Sequence, residues 1–110
     1  MPDIRSIDIA QLRASADRSC ALLKTLSNPD RLLLLCQISQ GECSVGELED
    51  ALDIHQPTLS QQLGVLRDEG LVETRRDGKR IYYSMASPEA MAMMQVLYEQ
   101  FCTAAPKRRR

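Results

Sequence analysis

The stretch "HQPTLSQQLGVLRDEGLV", His55–Val72, decides how this chain folds. Pro57 suits the first position of a helix, where its missing N–H costs nothing, and Gly70 suits the position just past the end. Leu59, Leu63 and Leu66 recur at the spacing that places side chains on one helical face. Thr58, Gln61, Gln62 and Val65 are left on the other face. A helix this short can bury three leucines, and what remains is unusually polar.

The segments on either side give that polar face a context. Upstream, "CSVGELEDALDI" opens with a capping box, Ser44 and Glu47, and carries Val45, Leu48, Leu52 and Ile54 as its apolar face. Two short helices joined across "IHQ", the second with a polar outer face, form the helix-turn-helix pattern. Downstream, "LVETRRDGKRIYYSM" switches to strand formers, and Asp77-Gly78 signals a tight hairpin turn. Arg75, Arg76, Lys79 and Arg80 flank its tip. A basic hairpin placed directly after a helix-turn-helix reads as a wing. Thr58, Ser60, Gln61 and Gln62 can then reach base edges in a major groove, where glutamine can bond adenine bidentately. His55 and Gln56 stand near the phosphate backbone, and the four wing residues suit phosphates.

Residues 9–26 read as a further helix, with Ile9, Leu12, Ala16, Cys20 and Leu23 at helical spacing. This stripe places Cys20 in a core as a small apolar residue. Asn28, Pro29 and Asp30 start the next helix, which runs to about Ser39 with Leu32, Leu35 and Cys36 on one side and Gly41 at its end. Ser87-Pro88-Glu89 caps a last helix. Its stripe of Met91, Met94, Leu97, Tyr98 and Phe101 is too apolar for a lone surface helix. The expected fold is mostly α with a small β-hairpin, a winged helix-turn-helix over residues 1–105. A basic disordered tail is expected at 106–110.

Composition narrows the function. The chain has 110 residues, 44% of them hydrophobic and 26% charged, which fits one globular domain. No apolar run approaches the roughly 20 residues of a membrane span. "MPDIRSIDIA" lacks the basic start and apolar run of a signal peptide, so the cytoplasm is the expected location. The net charge of −1 weighs against a nucleic-acid partner, while the basic cluster from Arg67 to Arg80 weighs for one. A winged helix that binds another protein is therefore the alternative to a DNA-binding one. There is no Gly-rich phosphate loop, nucleophile elbow or His–carboxylate cluster, so neither enzymatic activity nor a cofactor is expected. The four cysteines, Cys20, Cys36, Cys43 and Cys102, form no C-x-x-C pair. In a reducing compartment they are either buried apolar groups or redox-responsive thiols.

"LLKTLSNPDRLLLL", "SVGELEDALDIHQPTLSQQLGVLRDEGLVETRRDGKRIYYSM" and "LYEQFC" resemble the ArsR family of winged-helix repressors over residues 15–102. The resemblance implies a homodimer built from the first and last helices, with Leu12, Met94, Leu97, Tyr98 and Phe101 in its interface. It also implies binding to double-stranded DNA at an imperfect inverted repeat, and release when an inducer is sensed. Metal-sensing members carry E-L-C-V-C-D-L on the first helix of the helix-turn-helix. Here the matching stretch is "ECSVGEL", with Ser44 and Gly46 at the two cysteine positions, so no metal site is expected there. The last helix, "SPEAMAMMQVLYEQFC", contains no histidine. Soft-metal binding through cysteine thiolates stays open as a second reading.

The chain is more similar to the sulfide- and persulfide-responsive BigR/SqrR-type subgroup. That subgroup pairs a cysteine near the end of the second helix with one at the end of the last. "LLCQIS" and "EQFC" supply Cys36 and Cys102 in those places. The resemblance implies a dithiol switch between them, closed by a reactive sulfur species or an oxidant as a disulfide or polysulfide bridge. Cys20 and Cys43 are additional to that pair, and Cys43 is near enough in sequence to Cys36 to compete in the chemistry.

Overall fold

The computed structural model describes residues 8–102. The basic tail expected at 106–110 lies outside them. The order of elements is α1 (Ile9–Leu26), α2 (Pro29–Ser39), β1 (Cys43–Ser44), α3 (Val45–Leu52), α4 (Thr58–Asp68), β2 (Val72–Asp77), β3 (Arg80–Met85) and α5 (Pro88–Phe101). The architecture is mostly helical, with a three-stranded antiparallel sheet in the order β1-β3-β2. Among the described residues no helix is long and apolar enough to cross a membrane.

α2 is the central element. Asn28 accepts a hydrogen bond from the Arg31 N–H at 3.0 Å, and Pro29 opens the helix. Leu34, Leu35 and Ile38 are fully buried. The helix packs against α1, α3, α4, α5 and β3. On α4, Leu59, Leu63 and Leu66 are buried as their spacing requires, and Leu48 of α3 lies with them in the core. α4 begins at Thr58, with Pro57 as its cap rather than its first residue, a one-position difference within the ordinary ambiguity of helix ends.

The capping box of α3 is complete. Ser44 Oγ accepts from the Glu47 N–H at 3.2 Å, and Glu47 Oε1 accepts from the Ser44 N–H at 2.8 Å. The same Ser44 lies in β1, where it pairs with Tyr82 while Cys43 pairs with Tyr83. Sequence periodicity does not reveal β1, because two residues are too few to display an alternation. The hairpin turns on Gly78 and Lys79, with Asp77 and Arg80 paired across it. Gly78 has φ 64°, the conformation a two-residue turn reserves for glycine.

Two expectations about burial need correction. Only the C-terminal end of α1 enters the core, through Thr25 and Leu26, with Leu22 half-buried against it. Ile9, Leu12 and Leu23 are exposed, and so is Cys20, which is not a core residue of this chain. A helical stripe shows that a face needs a partner, and within its own chain α1 packs mainly against α2, with Arg18 reaching Glu89 of α5 at 3.9 Å. On α5 the reverse holds. Met94, expected in a contact between chains, is 1% exposed and belongs to its own chain's core with Ala90. α5 turns Val96, Tyr98 and Phe101 outward instead, and Leu97 is half-buried between the two faces.

Candidate nucleic-acid interface and thiol pair

The outer face of α4 is not uniformly available. Ser60 and Gln61 are exposed, and Thr58 is half-exposed. Gln61 has no side-chain partner among the described residues, so both halves of its amide are free. Gln62, expected to be equally free, is not. Its Oε1 accepts from Arg31 Nη1 at 3.0 Å. Gln56 turns back as a cap, with its Oε1 accepting from the Ser60 N–H at 3.1 Å.

His55 is the clearest departure in the turn. Its Nδ1 lies 2.8 Å from a Glu49 carboxylate oxygen and its Nε2 lies 2.6 Å from an Asp53 oxygen. Asp53 itself adopts a left-handed conformation, φ 56°, as the cap of α3. The hydrogen bond to Glu49, then that to Asp53, holds the imidazole pKa above its ordinary value. Both ring nitrogens are taken up by carboxylates, so His55 ties the turn to α3 and is poorly placed as a phosphate ligand.

The wing divides into a root and a tip. At the root, Arg75 Nε and Nη2 donate to the two Glu42 carboxylate oxygens at 2.7 and 2.8 Å. Its guanidinium lies over the Tyr82 ring, 4.6 Å from the centroid. The hydrogen bond from Arg75 lowers the Glu42 pKa. Arg75 is thus a strut between β2 and the segment entering β1, where a phosphate-contacting residue was expected. At the tip, Arg76, Lys79 and Arg80 are exposed and have no ion-pair partner among the described residues.

The fold brings Cys36 and Cys102 into one neighbourhood across 66 positions of sequence. Cys36 is half-buried on α2, its Sγ 3.6 Å from Met94 Sδ on α5. Burial raises its pKa, and the negative charge of a Cys102 thiolate raises it further. Cys102 is exposed at the C-terminal cap of α5. Cys43 is buried in β1, its Sγ 3.2 Å from the Gly41 carbonyl oxygen. Burial, followed by Glu47 and Glu42, raises its pKa. That thiol is shielded from solvent by its place in the core. All four cysteines are free, and among the described residues no group of three or more His, Cys, Asp or Glu side chains is arranged to hold a metal ion.

Arg31, Glu42, Glu49 and Asp53 all hold members of the candidate interface, and sequence reasoning assigned none of them such a role. The Arg31–Gln62 and Glu42–Arg75 pairs are 31 and 33 residues apart, so no periodicity or local motif signals them. The Glu49–His55 pair is local, and a histidine six residues after an acidic helix position is the only signal available.

Comparisons place this geometry among known proteins. The bacterial regulatory proteins of the arsR family match over residues 28–74. The biofilm growth-associated repressor of Agrobacterium fabrum is 52% identical over 100 residues, 91% of this chain and 86% of that protein. The crystal structure of the transcriptional repressor BigR from Xylella fastidiosa superposes with a TM-score of 0.82 at 48% identity, covering 88% of this chain and 99% of that one. The solution structure of a homodimeric winged helix-turn-helix DNA-binding domain from Mycobacterium bovis has a TM-score of 0.68 at 29% identity, covering 90% and 94%.

Two outcomes are expected from the interface. Lys79→Gln and Arg80→Gln should each flatten the salt dependence of duplex DNA binding by about one unit in log–log slope, as loss of a phosphate contact does. Arg75→Gln should weaken binding without changing that slope; a slope change at Arg75 and none at the tip would reverse the assignment. The second outcome concerns pH. His55 has a folded-state pKa above its unfolded one, so its ion pairs stabilise the fold fully below about pH 6.5 and lose that effect as pH rises through the folded value. In urea titrations the parent should exceed His55→Gln at low pH and converge on it at high pH. A pH-independent difference would remove the charged imidazole from the turn.

Proposed function

The chain belongs to the arsR family of bacterial regulatory proteins, and on that premise we propose that it is a DNA-binding repressor switched by its Cys36–Cys102 pair. It binds an imperfect inverted repeat as a homodimer and releases it when sulfur joins the two thiols. The observation that carries this reading is the placement of Cys36. It sits on the helix that packs against most of the fold, within electrostatic reach of a thiol that ends α5.

The dimer follows from the unpartnered faces. Leu12 and Phe101 are 52% and 80% exposed, on the first and last helices. Each such side chain gains about 1.5–3 kcal/mol on full burial, which a second copy of the chain supplies. The relative from Mycobacterium bovis is described as a homodimer. Ser60, Gln61 and Gln62 then face the major groove, and Arg76, Lys79 and Arg80 approach phosphates.

The switch needs no external catalyst. A persulfide, R–S–SH, transfers its sulfane sulfur to exposed Cys102, leaving R–SH and a Cys102 persulfide. The Cys36 thiol then attacks the Cys102 sulfur, and hydrogen sulfide departs as the disulfide closes. The two cysteines lose two electrons, which the sulfane sulfur gains. Persulfidation of both thiols before closure gives a trisulfide by the same steps. The bridge ties α2, at Cys36, to the cap of α5, at Cys102, and fixes how the two helices sit against each other. Half-sites about 34–36 Å apart tolerate little relative rotation of two recognition helices.

Phe101→Asp should keep its own chain folded, because Phe101 is outside that chain's core, and should appear as monomer in sedimentation. A stable dimer would move the interface elsewhere. Cys36→Ser and Cys102→Ser should each bind the operator as the parent does, yet stay bound after persulfide treatment in a mobility-shift assay. Cys20→Ser and Cys43→Ser should still be released. Release of the Cys36→Ser Cys102→Ser double variant would sink the switch.

A further inference from the structure

We infer that Arg31, which lies on α2 outside the reading face, decides what Gln62 can read. The inference rests on the DNA-binding reading above and goes beyond it. Arg31 donates through Nε to the Thr25 carbonyl at 2.8 Å and through Nη2 to the Lys24 carbonyl at 3.4 Å. Both carbonyls belong to the C-terminal end of α1, where the Lys24 oxygen also accepts from the Ser27 N–H and hydroxyl. The remaining arm, Nη1, donates to Gln62 Oε1. One guanidinium thus fixes the end of α1 to the side of α4.

The direction of the Gln62 amide follows from chemistry. Its oxygen and nitrogen are hard to distinguish by shape, but a guanidinium has five donors and no acceptor. Only Oε1 can face Arg31. That bond uses one of the two Oε1 lone pairs and turns the oxygen toward α2, so the amino group is the half of Gln62 directed away from Arg31. Bidentate reading of adenine needs both halves of the amide side by side, the oxygen for the adenine N6 amino group and the nitrogen for N7. With its oxygen held toward Arg31, Gln62 leads with its donor instead. Guanine presents two adjacent acceptors, N7 and O6, and no donor at that edge, so a side chain that leads with its amino group favours it. Gln61 keeps both halves of its amide and retains the adenine option. The repeated glutamines are therefore two different readers, and Arg31 is the positioning residue that makes them different.

Binding-site selection from a randomised duplex pool tests this with the full-length reduced dimer. The base pair whose preference disappears in Gln62→Ala should be G·C in the parent, with a loss of roughly tenfold or more in discrimination. Arg31→Met frees Oε1 and should shift that one position toward A·T, leaving the Gln61-dependent position unchanged. Gln62→Glu keeps a partner for Arg31, so it preserves the fold even if Arg31→Met does not. It removes the donors and should abolish the guanine preference. A parent preference for A·T at that position would overturn the inference. So would unaltered preferences in Gln62→Ala, an unshifted preference in folded Arg31→Met, or retained guanine in Gln62→Glu. A pool from which the parent enriches no sequence would instead overturn the repressor reading beneath it.

Discussion

The burial of one side of α2 is the constraint on which the rest of this structure depends. Leu34, Leu35 and Ile38 are sealed by elements from both ends of the chain. Each is worth about 1.5–3 kcal/mol in removal from water, and close-packed interiors do not yield to small displacements without cost. A helix held by one neighbour can roll. A helix held by α1, α3, α4, α5 and β3 can move only by carrying some of them along. A displacement of this helix is therefore shared with α4, and Cys36 lies on its half-buried flank.

The polar contacts do a different job. Solvent screens exposed ion pairs, so Glu42–Arg75 adds little to the stability of the fold. What it does is aim the wing, by holding the guanidinium against both a carboxylate and the Tyr82 ring. Arg31 does the same for α4. Contacts of this kind withdraw groups from the pool available to a ligand. The chemical character of the surface is set by the side chains left unpaired, Gln61 and the wing tip above all.

Much of this is legible in the sequence, for identifiable reasons. Leucines at 59, 63 and 66, the Ser44–Glu47 box and the Asn28-Pro29 start are local signals, and local signals fold locally. The hairpin turn centres one residue later than Asp77-Gly78, because that dipeptide marks a turn but not its register. What periodicity cannot report is which molecule covers an apolar stripe. It reads Leu12 and Met94 alike, although one is exposed and the other sealed. Nor can it see that residues 31 and 42 reach across to 62 and 75, because those pairings exist only once the helices have packed.

Ser44 serves two structures at once. Its backbone pairs with Tyr82 of the wing, and its side chain caps α3, the helix that leads to α4. A segment that unfolds as a unit keeps its protection from solvent exchange as a unit. The wing and the reading helices share this residue, so they form one cooperative block rather than two appendages. The hairpin cannot be traded for another family member's unless the short strand before α3 travels with it, and a change in wing length or twist reaches α3 before it reaches any base.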